Sequence, residues 1–186
     1  MRLLSGICLA ICVSCAEYTP KPRGYHRIDL PPAHYRVFAS DDLACTFHVS
    51  HLAVIELPPQ GTAADWMNIS YESLNARIYC SIRNVTPQTL SVAEEECRRL
   101  LFRNAKDARA IREQSYENQD IRLYGRLFRI TGETASPIQF MLTDSLSRFF
   151  RGALYYQCRT NVDSLAPVTE YLGNDMVELI QSFRWK

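Results

Sequence analysis

The stretch Arg122–Cys158 leaves the chain the fewest options. Three runs rich in β-branched and aromatic residues, Arg122–Ile130, Pro137–Thr143 and Arg148–Cys158, follow one another across two close turns, the first at Thr131-Gly132-Glu133-Thr134. Turns that short join antiparallel neighbours, so the stretch predicts a three-stranded meander.

The rest of the chain supplies partners for that sheet. Tyr35–Phe38 reads as a short strand, and Cys45–Leu57 as one long β run stopped by Pro58 and Pro59. Trp66–Tyr71 and Ala76–Arg83 read as a hairpin. In its second arm Ile78, Cys80 and Ile82 share one face while Arg77, Tyr79, Ser81 and Arg83 share the other, the alternation of a half-buried strand. From Thr89 to Ala108 the period changes. Leu90, Ala93, Cys97, Leu100, Leu101, Ala105 and Ala108 form one helical stripe, Ser91 and Glu94 have capping-box spacing, and Arg103, Lys106 and Arg109 crowd the end. A last helix spans Asp163–Phe183, capped by Asp163 or Ser164, with Pro167 in its first turn. Its stripe is Val168, Leu172, Met176, Leu179, Ile180 and Phe183, with Gly173 a weak point. The expectation is an α+β fold over residues 35–186: a mainly antiparallel sheet packed with a mid-chain helix and a C-terminal helix. The order of elements resembles the PsbP/Mog1-like sandwich.

Residues 1–32 give an address. Arg2 is a short positive region and Leu3–Val13 an apolar run, too short for the ~20 residues a membrane-spanning helix needs. Val13-Ser14-Cys15 then resembles a bacterial lipobox, which implies a lipoprotein signal peptide over 1–14 and acyl chains such as palmitate on Cys15. Each buried CH₂ contributes about 0.8 kcal/mol, so several chains on one cysteine hold a protein at a bilayer. Residues 15–34 form a tether with Pro20, Pro22, Pro31 and Pro32, extended at about 3.1 Å per residue. The acid nearest Cys15 is Glu17, not the aspartate directly after the cysteine that retains some lipoproteins in the inner membrane, so the outer membrane is favoured.

Charge excludes one class of partner. The chain holds 21 Lys+Arg and 20 Asp+Glu, and losing Arg2 with the leader balances them. Phosphate-binding surfaces need clustered cations, so nucleic acid is not an expected partner. Besides Cys15 the body keeps Cys45, Cys80, Cys97 and Cys158, an even set that permits three pairings or none.

Catalytic motifs are few. His48 and His51 lie three apart on a strand and so point to opposite faces, unfit to share one metal ion. Asp144-Ser145 and Asp163-Ser164 lack a G-x-S-x-G elbow, and turn and helix-cap roles explain both. Both read D-S-L, which resembles the Bacteroidetes O-glycosylation signal, with Ser145 the more accessible. Glu117 and Asp120 sit in Ser115-Tyr116-Glu117-Asn118-Gln119-Asp120, a loop-like stretch. No phosphate loop or dinucleotide fingerprint is present, so no cofactor or metal is expected.

Several blocks together carry a family resemblance: YTPKPRGYHRIDLP (Tyr18–Pro31), DWMNI (Asp65–Ile69), YGRLFRITGETASPIQFMLTDS (Tyr124–Ser145), FFRGALYY (Phe149–Tyr156), DSLAPVTEYL (Asp163–Leu172) and the closing FRWK. In this order they resemble the GldD family of gliding-motility lipoproteins of the Bacteroidetes gliding and type 9 secretion apparatus. The resemblance implies a non-catalytic, membrane-anchored interaction component in the cell envelope, facing the periplasm, whose partners are other envelope lipoproteins or outer-membrane components. Exposed aromatics and arginines are the residues such contacts favour, which points to Tyr18, Lys21, Arg23 and Tyr25 in the tether and to Arg148 and Arg151. The competing reading is an envelope-tethered enzyme or small-molecule binder, which needs His48, Asp144 and Ser145 gathered around one cleft.

Overall fold

The computed structural model describes residues 29–59, 62, 65–158 and 162–186. Among these, ten strands and two helices run in the order β1 (Tyr35–Ser40), β2 (Cys45–Ser50), β3 (Val54–Glu56), β4 (Trp66–Tyr71), β5 (Ala76–Asn84), α1 (Pro87–Asn104), β6 (Asp107–Asn118), β7 (Leu123–Glu133), β8 (Ile138–Thr143), β9 (Arg148–Tyr156), α2 (Val162–Ser182) and β10 (Arg184–Trp185). The expected meander β7-β8-β9 forms the middle of a seven-stranded antiparallel sheet of order β3-β4-β5-β9-β8-β7-β6. A second sheet, β1-β2-β10, has three strands.

Two apolar layers sandwich the larger sheet. On its inner face Ile69, Ile78, Phe140, Leu142, Phe150 and Leu154 meet Phe47 and Val49 of β2 and the Leu172, Met176, Ile180 stripe of α2. On the outer face Phe128, Met141 and Phe149 meet Ala93, Cys97 and Leu101 of α1. All six residues of β8 are buried, because both helices cover it. Aromatic rings tie the layers together. Phe183 lies 5.9 Å from Phe47 and 5.3 Å from Phe150, so the small sheet, the large sheet and the end of α2 share one stack.

Two glycines make room for neighbouring side chains. A Cβ on Gly152 would run into the Phe140 ring across the β8–β9 ladder, and one on Gly173 would collide with the Arg129 guanidinium, which lies against the α2 backbone. Gly173 is therefore a point of close contact between helix and sheet, where the sequence pattern alone reads a weak spot.

Five local expectations are corrected. The run Cys45–Leu57 is two strands, because the chain turns at His51–Leu52, where Ala53 N–H donates to the Ser50 carbonyl at 3.0 Å, and crosses from the small sheet to the large one. Both halves bury residues in the same core, so hydrophobicity does not mark the break. Helix α1 begins at Pro87 behind Thr86, whose hydroxyl and that of Thr89 exchange capping bonds with each other's backbone N–H, so Ser91 and Glu94 lie inside the helix. It ends at Asn104, and Arg109 belongs to β6. The turn expected at Thr131–Thr134 falls later, since β7 continues to Glu133 beside β6. Pro167 is the sixth residue of α2, in its second turn rather than its first. Finally, the loop-like 115–120 stretch lies largely within β6, a twelve-residue edge strand. Its charged, mostly exposed residues show no buried period, and charge is how an open edge resists pairing with another chain.

Candidate interaction surface

α1 covers the outer face over β7, β8 and part of β9, leaving β3, β4 and β5 open beside it. Register dictates what this open half displays. Trp66, Ser81 and Arg151 fall in one cross-strand row, Glu56, Asn68, Tyr79 and Ala153 in the next, and Val54, Ser70, Arg77 and Tyr155 in the third. Trp66, Tyr79 and Val54 are 37%, 44% and 53% exposed. The small side chains of Ser81 and Ala153 floor a depression of about 360 Å³ walled by Tyr79, Tyr155 and Arg151.

The rings and charges here are ordered. Tyr79 and Tyr155 meet edge to face at 5.6 Å, and the Tyr155 hydroxyl accepts from Asn104 Nδ2 at 3.0 Å. Glu56 accepts from the Ser70 hydroxyl at 2.6 Å and from Asn68 Nδ2 at 3.1 Å, and Arg77 lies 3.0 Å away. The Ser70 and Asn68 bonds hold the Glu56 carboxyl below its usual value. Arg83 pairs with Glu96 of α1 at 3.0 Å. Arg151 is half-buried and makes no hydrogen bond or ion pair among the described residues.

Other sequence-derived positions have different settings. Arg148 donates through Nη1 to the Lys186 carbonyl at 2.5 Å and sits 5.7 Å from the Trp185 ring centre, so it fastens the C-terminal strand. Ser145 is exposed in the β8–β9 turn with φ +64°. Cys15, Tyr18, Lys21, Arg23 and Tyr25 lie outside the described residues. Cys45, Cys80 and Cys97 are free and buried and Cys158 is free and exposed; burial pushes the Cys45 thiol up to about 11.

The enzyme reading loses its constellation. His48 Nδ1 lies 2.7 Å from Glu178 Oε1 of α2, and the His48 N–H donates to the Ser182 hydroxyl. Asp144 Oδ1 accepts from the N–H groups of Leu146, Ser147 and Arg148, and Oδ2 from the Ser147 hydroxyl. His48 is thus engaged with α2 and Asp144 with the β8–β9 turn. Among the described residues no cluster of His, Cys, Asp and Glu has the arrangement of a metal site, and no helix is long and apolar enough to cross a membrane.

One polar cluster has no signature in the sequence. Asp175 of α2 is buried and accepts from Tyr35 Oη at 2.8 Å and Tyr71 Oη at 3.0 Å, joining α2 to both sheets. Burial raises the carboxyl of Asp175, and burial together with the carboxylate raises both phenols. The three residues are spread over 140 positions, so no local motif could announce them.

Comparison with known proteins agrees with this architecture. The family described as gliding motility lipoprotein GldD matches residues 15–185. The chain belongs to that family. The GldD match spans all the elements from β1 to β10. No curated protein matches the chain. The solution structure of cyanobacterial PsbP (CyanoP) from Synechocystis sp. PCC 6803 is similar in fold, with a TM-score of 0.50 at 9% identity over 84% of this chain and 95% of that one. At that identity the likeness speaks for the α+β sandwich and nothing more, and it agrees with the PsbP/Mog1-like order of elements.

Proposed function

We propose that this GldD-family protein is a non-catalytic, membrane-anchored interaction component of the gliding motility and type 9 secretion machinery. The family match carries this reading, since it begins at Cys15, the residue the lipobox marks for acylation. The leader is residues 1–14, the tether 15–34 and the single globular domain 35–186. The anchor sits in the outer membrane, and the domain faces the periplasm. There the tether, through Tyr18, Lys21, Arg23 and Tyr25, and the open sheet face around Arg151 meet other envelope lipoproteins or outer-membrane components.

Support for the sheet face comes from its composition. Ordered aromatic rings beside an unspent guanidinium are the groups that dominate binding energy at protein interfaces. Arg148, committed to the C-terminal strand, serves that face by holding the fold.

Two measurements in the native organism test the reading. An alkyne analogue of palmitate should label the mature chain, and Cys15→Ala should abolish labelling and release the protein from membranes. Photocrosslinkers at Tyr18, Tyr25 and Tyr79 should capture the same envelope proteins, and Arg151→Glu should reduce capture at Tyr79 without changing the melting temperature. Membrane retention of Cys15→Ala, or crosslinking confined to unrelated abundant proteins, would overturn it.

A further inference from the structure

The inner face of the large sheet carries a second feature that the interaction reading does not use. Beyond the main core, β6 and β7 extend beside the N-terminal half of α2, and between them lies a cleft of about 450 Å³. Its walls are largely apolar, with Pro137 and Ile138 from the sheet side, Leu165 and Ala166 from the helix, and the Tyr156 ring. Two arginines line the same cleft. Arg112 of β6 and Arg129 of β7 stand directly opposite each other in the ladder.

Like charges directly across an antiparallel ladder destabilise it. A carboxylate normally relieves such a pair, and elsewhere this protein provides one: Arg77 has Glu56, Arg83 has Glu96, and Arg126, on the other face of β7, has Glu113 at 3.0 Å. Arg112 and Arg129 make no hydrogen bond or ion pair among the described residues. Glu170 lines the cleft yet bridges to neither. Arg129 also lies close against α2, which has a glycine, Gly173, where an added Cβ would meet its guanidinium. A local rule is broken with no compensating ion pair among the described residues, in a cavity. That combination marks a place where a ligand supplies the missing anion.

We propose that the cleft binds an anionic amphiphile: a single carboxylate or phosphate headgroup on Arg112 and Arg129, with one hydrocarbon chain against Leu165, Pro137 and Tyr156. The volume lies in the range of small-molecule pockets. The tether is an unsuitable occupant because it brings Lys21, Arg23 and Arg27 to a site that is already cationic. Planar guanidinium forks suit both headgroup classes, so the test separates them.

The experiment uses the full lipidated chain in a neutral detergent and two photoreactive probes of equal length, a decanoic acid and the matching decanol, with labelled residues mapped by mass spectrometry. The acid should label the peptides holding Leu165, Ala166 and Pro137 at least about tenfold more than the alcohol, the factor expected from a single charge-assisted hydrogen bond. R112Q and R129Q should each reduce acid labelling by about the same factor, and L165D should abolish it. Decyl phosphate competing better than decanoate would assign the headgroup as phosphate, and the reverse order as carboxylate. Equal labelling by acid and alcohol, indifference to R112Q, or competition by inorganic phosphate as strong as by decyl phosphate would overturn the proposal. Folding does not confound it, because Arg112 is exposed on an edge strand and R112Q, by removing the repulsion, should melt no lower than the parent. Nor does the envelope reading, since Cys15→Ala leaves the cleft intact and should label equally.

Discussion

Two buried or half-buried acids show how opposite environments set opposite chemistry at single residues. For Asp144, burial alone would raise the carboxyl, but three backbone N–H groups and the Ser147 hydroxyl outweigh it and hold the group at about 2, against an ordinary 3.8. A depressed value stabilises the fold above the unfolded value, and that contribution is lost as pH falls from about 4 through about 2. The shift corresponds to about 2 kcal/mol at neutral pH. Asp144→Asn should therefore lower stability by about that amount at pH 7, and the difference from the parent should shrink below pH 4, as read by urea midpoints across pH. Asp175 runs the other way: burial raises its carboxyl, so its ionised form depends on the phenols of Tyr35 and Tyr71. Tyr71→Phe should cost about 1–3 kcal/mol at pH 7. Its cost should fall on acidification, because a protonated Asp175 needs fewer donors. The sequence made the Asp144 turn legible, since an Asp-Ser pair between two strands is a local arrangement. It gave no sign of the Asp175 cluster, whose residues meet only once distant elements pack, or of the facing Arg112 and Arg129, because β6 has no hydrophobic period to set its register against β7.

At the scale of elements, legibility follows burial. α2 and the meander were readable because their inward faces repeat with the period of the element, as Leu172, Met176, Leu179 and Ile180 do along the helix. β6 was not, because an edge strand with both faces exposed has no hydrophobic period to read. The β2–β3 break was hidden for the opposite reason, since both halves feed one core. The start of α1 illustrates a third cause. Ser91 and Glu94 satisfy the spacing rule for a capping box, but Thr86, just ahead of Pro87, and Thr89 satisfy it in space. Mutation separates the two: Thr86→Ala should cost about 1 kcal/mol through exposed helix N–H groups, whereas Ser91→Ala, inside the helix, should cost nothing or stabilise slightly. Thermal melts followed by circular dichroism would read both, and a larger loss at Ser91 would contradict the cap described here.

For the whole molecule the decisive question is whether two sheets of unequal size behave as one unit. The small sheet has three strands, one of them only two residues long, and could not stand alone in water. It is held by the stack of Phe47, Phe150 and Phe183 and by the Asp175 bonds, which bind β1 and β4 to the same turn of α2. Global stability and the integrity of the small sheet should thus be one quantity. The chain offers natural reporters, for it has two tryptophans, Trp66 on β4 of the large sheet and Trp185 on β10 of the small one. Trp66→Phe and Trp185→Phe give single-tryptophan forms in which fluorescence follows one sheet at a time. If the aromatic stack couples the sheets, each form's fluorescence should lose its native signal at the same urea concentration as its far-ultraviolet circular dichroism. Phe183→Ala, which empties the centre of the stack, should cost about 3–5 kcal/mol. It should also split the signals, so that Trp185 reports loosening at lower urea than Trp66. Fluorescence and circular dichroism midpoints that differ within either single-tryptophan form, or a Phe183→Ala background in which the two tryptophans still move together with little loss of stability, would mean that the small sheet is held by its own ladder and not by the shared rings.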